Sequence, residues 1–516
     1  MSGAGTYLSE AGAVHPAVRR RHVQDLLWRA LPFALALAPA LAVAIAISRP
    51  NLPLTIVLLS GAAALVTLIV NPRLEVTVTI LAVFLGCVDG PLKGLAGGGN
   101  ATAVVRNVLV AAVAIGALAR LIASRKQIRL PAMTGWVIVW TLLVLVEVLN
   151  PNTVGVLKIL GGLRQQLEWV PFFFFGYALI KSRERMRKMF LILALIACAN
   201  GIASTIESRM SASQFASLGP GYAERTEGTG GVSGTAFKAE GESHVRPLAL
   251  GSDIGFGGGI GVIALPGALV LMASGAFRRK WVAPLLCAGA LLAVATALSR
   301  TAVLGAVITL LAFGFFSLSV GRHMIRPLAA IFALLVAGVV LVAVLSSAGG
   351  SGLERYASIA PEKAASTATS YKELSLKQIP KAIGQEPFGF GLGTAGAASG
   401  FGGKTSVKLE GHGFSSETQY NFVVNELGLP GLIAWVALTL TLLGMGVSRL
   451  GRIADLDVRL GLAAILATIT GLTIMGFEGA FMAGQGSGPY FWFAAGVIAF
   501  WLAGRPAVQR LRGGAA

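Results

Sequence analysis

Three arginines lie beside apolar blocks of the sequence, where a guanidinium group would meet a membrane surface. Arg300 lies in ALSRTAVLG, Arg246 in HVRPLALGSDIGFG and Arg164 in GGLRQQLEW. A guanidinium binds phosphate oxygens in a bidentate manner, so three converging arginines would suit a lipid diphosphate. Taken singly, Arg300 is more typical of a side chain that extends to the interface. Arg246 has Glu242 and Asp253 as candidate ion-pair partners, and Arg164 fits a solvated face or a headgroup contact.

A carboxylate and a histidine close to the largest polar loop are the candidates for acid–base chemistry. Glu417 and Tyr420 stand three residues apart in SSETQYNFVVNELGLPG and would share a face if the segment is helical. Glu417 is then a candidate general base near a lipid surface. It is equally typical of a helix start that follows Ser415 and Ser416. His412, in EGHGF, is a second candidate base, although a lone loop histidine is more often neither base nor switch.

Several other patterns carry little chemistry. Asp455 and Asp457 resemble a metal-binding acidic pair, but they lie between Arg452 and Arg459, so salt bridging is the better interpretation. The glycine runs lack the Lys-Ser/Thr of a phosphate-binding loop. The three cysteines fall inside apolar blocks without metal-ligand spacing. We therefore predict no metal site and no cofactor.

The elements that must position these residues are membrane helices. The chain is 55% hydrophobic with a mean hydropathy of +0.75, and only 13% of its residues are charged, against about a quarter in soluble proteins. Because a span needs about 20 apolar residues, the sequence predicts an all-α polytopic bundle. We place fourteen spans, or twelve if the short third and sixth are discounted: 31–48, 52–70, 74–88, 101–121, 131–149, 169–180, 188–206, 251–274, 281–298, 301–320, 327–347, 428–448, 458–476 and 489–504.

The distribution of Lys and Arg predicts the orientation. With the N-terminus in the cytoplasm, the inner segments hold 25 of the 42 basic residues and 6 of the 23 acidic ones, a net charge of +19, and the outer segments balance to zero. Both termini are then cytoplasmic. The pI near 10.4 reflects short connectors that meet lipid headgroups, and it does not indicate nucleic-acid binding.

The spans divide the chain into seven regions, and the long loops fall outside the cytoplasm. These regions are a cytoplasmic tail 1–30, a transmembrane bundle 31–206, an extracytoplasmic loop 207–250, a bundle 251–347, a large extracytoplasmic loop subdomain 348–425, C-terminal helices 428–504 and a cytoplasmic tail 505–516. The outer segment 150–169 has leucines at helical spacing and predicts an amphipathic interface helix. The sequence from Glu426 to Gly431 predicts a break between an interface helix and a span.

Three of these segments together resemble the O-antigen ligase and O-antigen polymerase superfamily of bacterial membrane glycosyltransferases. LSRTAVLGAVITLLAFG resembles the family's Ser-Arg followed by a span. QEPFGFGLGT, in the large loop, is similar to its glycine-rich segment, and SETQYNFVVNELGLPGLIAWVAL is similar to its closing motif. The resemblance is strongest over 290–450.

This resemblance implies an inverting, metal-independent transferase whose donor is a glycan on undecaprenyl diphosphate. Arg300 matches the family's Ser-Arg position, and Arg246 and Arg164 match further arginines that bind the diphosphate. Glu417 stands where the ligases carry a histidine base, so either Glu417 takes that role or His412 reaches in from the loop. The departure favours a polymerase over a strict lipid A–core ligase.

We therefore expect a polymerase of undecaprenyl-diphosphate-linked repeat units in the bacterial cytoplasmic membrane, with an extracytoplasmic active site that includes Tyr420. Its partners would be the glycan donor, a glycan or lipid acceptor, membrane lipids and other polysaccharide-assembly proteins. The alternatives are a ligase that transfers a finished glycan to lipid or protein, a transporter of polysaccharide or lipid-linked oligosaccharide, and a scaffold of an envelope complex. A transporter should carry ionisable groups within several spans, whereas the polar residues here concentrate in the outer loops.

Overall fold

The computed structural model describes residues 71–97, 100–123, 130–153, 155–228, 235–239, 242–318, 373–396, 398, 418–481 and 484–503. The predicted spans 31–48, 52–70 and 327–347, both tails, and the candidate bases His412 and Glu417 lie outside these residues. The chain divides into two compact units, Met1–Leu81 with Val104–Ile128, and Ala82–Ala103 with Arg129–Ala516.

Helices account for nearly all of the described secondary structure. In chain order they are α1 (Leu74–Val83), α2 (Asp89–Ala96), α3 (Asn100–Ala123), α4 (Thr134–Val146), α5 (Val156–Leu167), α6 (Pro171–Leu179), α7 (Arg183–Glu207), α8 (Ala212–Ser217), α9 (Pro220–Glu227), α10 (Phe256–Ala273), α11 (Val282–Thr296), α12 (Arg300–Ser317), α13 (Glu373–Gln385), α14 (Gln419–Arg449), α15 (Leu456–Met475) and α16 (Ser487–Ile498). A π-helical turn, Phe84–Val88, joins α1 to α2, and another, Ala499–Ala503, extends α16.

Within the described part of the chain, six helical segments are long and apolar enough to cross a membrane: Leu74–Leu95, Arg183–Glu207, Phe256–Ala273, Arg300–Ser317, Gln419–Arg452 and Leu456–Met475. Thr134–Leu149, Val282–Thr296 and Ser487–Ala503 are shorter apolar helices. Every predicted span that falls on described residues coincides with a helix. The predicted helical membrane bundle is therefore confirmed, while the count of fourteen spans stays a prediction.

One segment of the 207–250 loop is not helical. Two strands, β1 (Ala236–Ala239) and β2 (Glu242–Val245), pair antiparallel with Ala236 opposite Val245. Two residues, the second a glycine, separate the strands, a pattern typical of tight hairpins. Four-residue strands are too short for hydrophobic alternation to reveal them.

In the first unit, a side chain closes the turn before α1. The guanidinium of Arg120, near the end of α3, donates to the backbone carbonyl of Asn71.

The second unit is a helical bundle in which small residues allow close crossings. Gly176 of α6 and Gly496 of α16 each lie against the other helix's backbone, so a Cβ at either glycine would collide with a carbonyl oxygen.

The second unit has two ends. At one end, the Asp457 end, Arg183 and Arg187 pair with Asp457 at 2.8 and 3.1 Å, and Arg449 donates to Leu502 O at 3.0 Å. The other, the Arg300 end, contains the last residues of α7 and α15 and the first residues of α10, α12 and α14. Helices α7, α10, α11 and α12 therefore alternate in direction along the chain, and so do α14, α15 and α16. The side of the membrane that each end faces stays a prediction.

Candidate functional site

Arg246 and Arg300 come together at the Arg300 end. Arg300 is the first residue of α12, which Ser299 caps by accepting from Ala302 N at 3.4 Å. Burial lowers the pKa of Arg246, and the positive charge of Arg300 lowers it further. The Arg300 Nε is buried and has no hydrogen-bond partner among the described residues. The loop that carries Arg246 also contacts the start of α12, since Gly255 N donates to Pro247 O at 3.2 Å and Gly255 lies against Ser299. Two positive charges therefore lie near each other at the positive end of a helix dipole, where a bound anion would relieve their repulsion.

Buried polar side chains hold the loop that carries Arg246. Glu207 Oε2 accepts from the backbone N–H groups of Leu248 and Ala249 at 2.8 and 2.7 Å. Asn200 Oδ1 accepts from Leu250 N at 3.0 Å. Since α7 supplies both acceptors, the position of Arg246 is fixed by a membrane helix and does not depend on loop structure alone.

A third arginine, which the sequence did not single out, lies beside this loop. Arg225 of α9 is buried and donates to the carbonyl of Ser252. Its backbone carbonyl accepts from Thr235 N at 2.8 Å, and Thr235 O accepts from Arg246 N at 2.9 Å. The backbone of Thr235 therefore bridges the backbones of Arg225 and Arg246. Burial raises the pKa of Tyr222, and Glu207 raises it further, whereas Arg225 lowers it. Both charges therefore act on Tyr222, and no sequence motif marked Arg225.

The glycine-rich segment 387–396 fills a break in α14. At Gly428 the backbone leaves the helix, with φ 61° and ψ −156°, as the sequence from Glu426 to Gly431 predicted. In a regular helix the Leu429 N–H would donate to the Asn425 carbonyl. Here Leu429 N donates to Pro387 O, and Asn425 O accepts from Phe390 N, both at 2.8 Å. The loop therefore completes the hydrogen bonding of the helix, which joins two of the three segments that carry the family resemblance.

Close backbone contact explains the glycines at this junction. Gly389 has φ 95°, and a Cβ there would lie 2.7 Å from Gly428 N and 2.8 Å from Glu426 O. A Cβ on Gly428 would collide with the Pro387 carbonyl oxygen. Neither position accepts a side chain without separating the loop from the helix.

Glu426 is the centre of a buried polar cluster. Its side chain is fully buried, and its Oε1 accepts from Gly393 N at 3.0 Å and Ala395 N at 3.4 Å. Gln165 donates to the same oxygen at 3.3 Å, and Gln166 donates to Oε2 at 2.7 Å. The sequence placed Glu426 only in a helix break. An ionisable residue within an apolar stretch is a functional candidate in its own right, and this signal would have identified it.

Helix α5 is amphipathic, as predicted, but its polar side is buried where we expected it to be exposed. Val156, Leu157 and Leu160 are 70%, 66% and 56% exposed, whereas Gln165 and Gln166 are buried against the glycine-rich loop and Glu426. Arg164 is half-buried, with its Nε 3.5 Å from Glu168. The apolar side of α5 faces away from the protein because the polar side is used for internal hydrogen bonds.

The remaining candidates have different environments. The Tyr420 hydroxyl donates to Thr473 O at 3.0 Å, and its ring packs on Phe477 with centroids 4.4 Å apart. Helix α14 begins at Gln419, and Thr418 caps it by accepting from Asn421 N. At the opposite end, Asp457 forms salt bridges as predicted, although its partners are Arg183 and Arg187 and not the adjacent arginines. Asp455 caps α15.

Comparison with known proteins adds no identification. No protein-family model, curated protein or solved structure matches this chain.

Proposed function

We propose that the protein is an inverting, metal-independent glycosyltransferase that polymerises undecaprenyl-diphosphate-linked oligosaccharide repeat units at the outer face of the bacterial cytoplasmic membrane. The approach of Arg246 to Arg300 is the observation that carries the proposal. Burial and a neighbouring cation both disfavour the charged form of Arg246. A diphosphate would supply negative charge between the two cations and an acceptor oxygen for the Arg300 Nε.

The proposed reaction needs a base and a stabilised leaving group. Glu417, or His412 in its place, removes the proton from a hydroxyl group of the acceptor sugar. That oxygen attacks the anomeric carbon, the bond from this carbon to the diphosphate breaks, and the configuration inverts. The proton stays on the base, and the charge that develops on the diphosphate is stabilised by Arg246 and Arg300. Arg164 and Tyr420 are proposed contacts to the diphosphate or glycan.

Analysis of surface glycan in a deletion strain tests the reaction class. Single-repeat glycan in place of long chains means a polymerase. Long chains left on the carrier lipid mean the alternative, a ligase that transfers a finished glycan. An unchanged glycan together with loss of small-molecule uptake would contradict both and favour a transporter. Glu417→Gln and His412→Ala in the complemented strain decide between the two candidate bases, because the variant of the true base loses polymer while the protein still inserts.

A binding measurement tests the arginine pair directly. The full chain in nanodiscs is titrated with undecaprenyl diphosphate, with undecaprenyl monophosphate as the comparison ligand. Arg300→Ala and Arg246→Ala should each weaken diphosphate binding at least about tenfold, because each removes a charge-assisted contact. Arg279→Ala is the matched control, since Arg279 is exposed and lies between α10 and α11, away from the pair. Equal binding by all three variants would overturn the assignment.

A further inference from the structure

Three segments that are distant in the sequence converge on the Glu426 carboxylate. Helix α5 contributes the two glutamine side chains, the glycine-rich loop contributes two backbone N–H groups, and Glu426 itself belongs to α14. Further bonds connect the same segments: Gln165 Nε2 donates to Ala395 O at 3.0 Å, and Ala398 N donates to Gln165 Oε1 at 3.0 Å. Removing Glu426 would therefore break the hydrogen bonds from both glutamines of α5 to α14 and two of the bonds between the loop and α14.

Every hydrogen-bond partner of Glu426 among the described residues is a donor. An ionised carboxylate is an acceptor only, so this arrangement suits the anion and not the protonated acid. A buried ion gains little net stability over an apolar side chain of the same volume, but it requires a defined geometry from all of its partners. The cluster is thus better suited to fixing positions than to adding stability.

The position of the cluster links two parts of the proposed active site. The Glu426 segment of α14 extends back from the break at Gly428 to the Thr418 cap and includes Tyr420. Gln165 and Gln166 directly follow Arg164 on α5. We propose that Glu426 is a positioning residue for the glycosyl transfer, holding the α14 segment that carries Tyr420 at a fixed distance from the α5 segment that carries Arg164. This inference rests on the proposed function.

Exchanging the two ends of one hydrogen bond tests the proposal. Gln166→Glu places a second carboxylate beside Glu426, and Glu426→Gln removes the charge. The double variant restores one carboxylate and one amide with their positions exchanged. Hydrogen exchange of the 387–398 segment, measured on the full chain in nanodiscs, should be about tenfold faster or more in Gln166→Glu. It should return most of the way to the wild-type rate in the double variant.

Glu386→Gln is the matched control, because Glu386 is a half-buried residue of the same loop outside this cluster. It should leave both hydrogen exchange and glycan output unchanged. Polymer length should follow the order of hydrogen exchange across the cluster variants and should fall much more than undecaprenyl diphosphate binding, because Arg246 and Arg300 still hold the diphosphate when the Arg164 segment shifts.

Two results would overturn the inference. The first is a double variant that exchanges as fast as Gln166→Glu, which would mean that Glu426 and Gln166 are not paired. The second is a parallel loss of diphosphate binding and polymer, which would make Glu426 a residue of general stability. If Arg300→Ala also leaves the glycan unchanged, the proposed function fails instead, and the exchange rates still decide whether Glu426 holds the loop.

Discussion

Adding a single methyl group tests whether Gly428 is required for the contact between the glycine-rich loop and α14. Gly428→Ala places a Cβ at a backbone conformation that L-residues rarely adopt, φ 61° and ψ −156°, and directs it into the Pro387 carbonyl. The added atom cannot be accommodated by a side-chain rotation, because the atoms it meets belong to the backbone. Either α14 changes its path at the break or the loop moves away from it.

The expected cost follows from the contacts that would be lost. Backbone strain of this kind costs about 1–3 kcal/mol. Separation of the loop would also break the hydrogen bonds from Leu429 N to Pro387 O and from Phe390 N to Asn425 O, each with a net value of about 1 kcal/mol. We expect the free energy for opening the loop to fall by roughly 3 kcal/mol, which corresponds to about a hundredfold faster exchange of these amides.

Hydrogen exchange measures this change, and Gly444→Ala is the control. Gly444 lies on the same helix, and a Cβ there would have no atom within 4 Å. Alanine at Gly444 should be neutral or stabilising by up to about 1 kcal/mol, because alanine favours the helix. Equal protection of Leu429 and Phe390 in Gly428→Ala and Gly444→Ala would mean that the loop does not complete the hydrogen bonding of the helix.

Three further substitutions test separate parts of the structure. Thr418→Val removes the cap of α14 and should destabilise it by about 1 kcal/mol, seen as faster exchange at Asn421, whereas Thr418→Ser should not. Asp457→Asn should lower the free energy of unfolding by on the order of 1 kcal/mol, seen as a lower thermal midpoint. The difference from wild type should shrink in high salt, because the pairs with Arg183 and Arg187 are partly exposed. Burial lowers the pKa of Lys158 in the folded protein below its ordinary 10.5, so the unfolded chain binds this proton more tightly than the folded chain does. The free energy of unfolding therefore falls as the pH drops from 10.5 to the pKa of the folded state. Lys158→Met should therefore raise the thermal midpoint at pH 7, with a gain that vanishes as the pH approaches 10.5; a gain independent of pH would contradict the assignment.

The sequence predicted the helices well because apolar segments of about 20 residues have few alternatives in a membrane protein. It also predicted the break at Gly428, where a glycine and Pro430 follow one another within three residues. The hairpin was missed because its strands are shorter than the window in which alternation can be recognised.

Long-range partners were beyond sequence reasoning. Nothing local indicates that Phe390 completes a helix that begins at Gln419, or that Gln166 donates to Glu426. The prediction that Arg246 and Arg300 converge came from a family resemblance and from their shared position beside apolar blocks. The structure brings these two close, while Arg225 carried no motif by which it could be found.

Helix α5 has a consequence for the membrane around the protein. We expect its exposed leucines to lie at the level of the acyl chains, while Gln165 and Gln166 on its other side donate hydrogen bonds to Glu426. The helix would therefore fix the depth of the polar cluster relative to the boundary between lipid headgroups and acyl chains. Because membrane proteins respond to hydrocarbon thickness by tilting or by deforming the lipid, we expect the thickness of the bilayer to affect the geometry of this polar cluster.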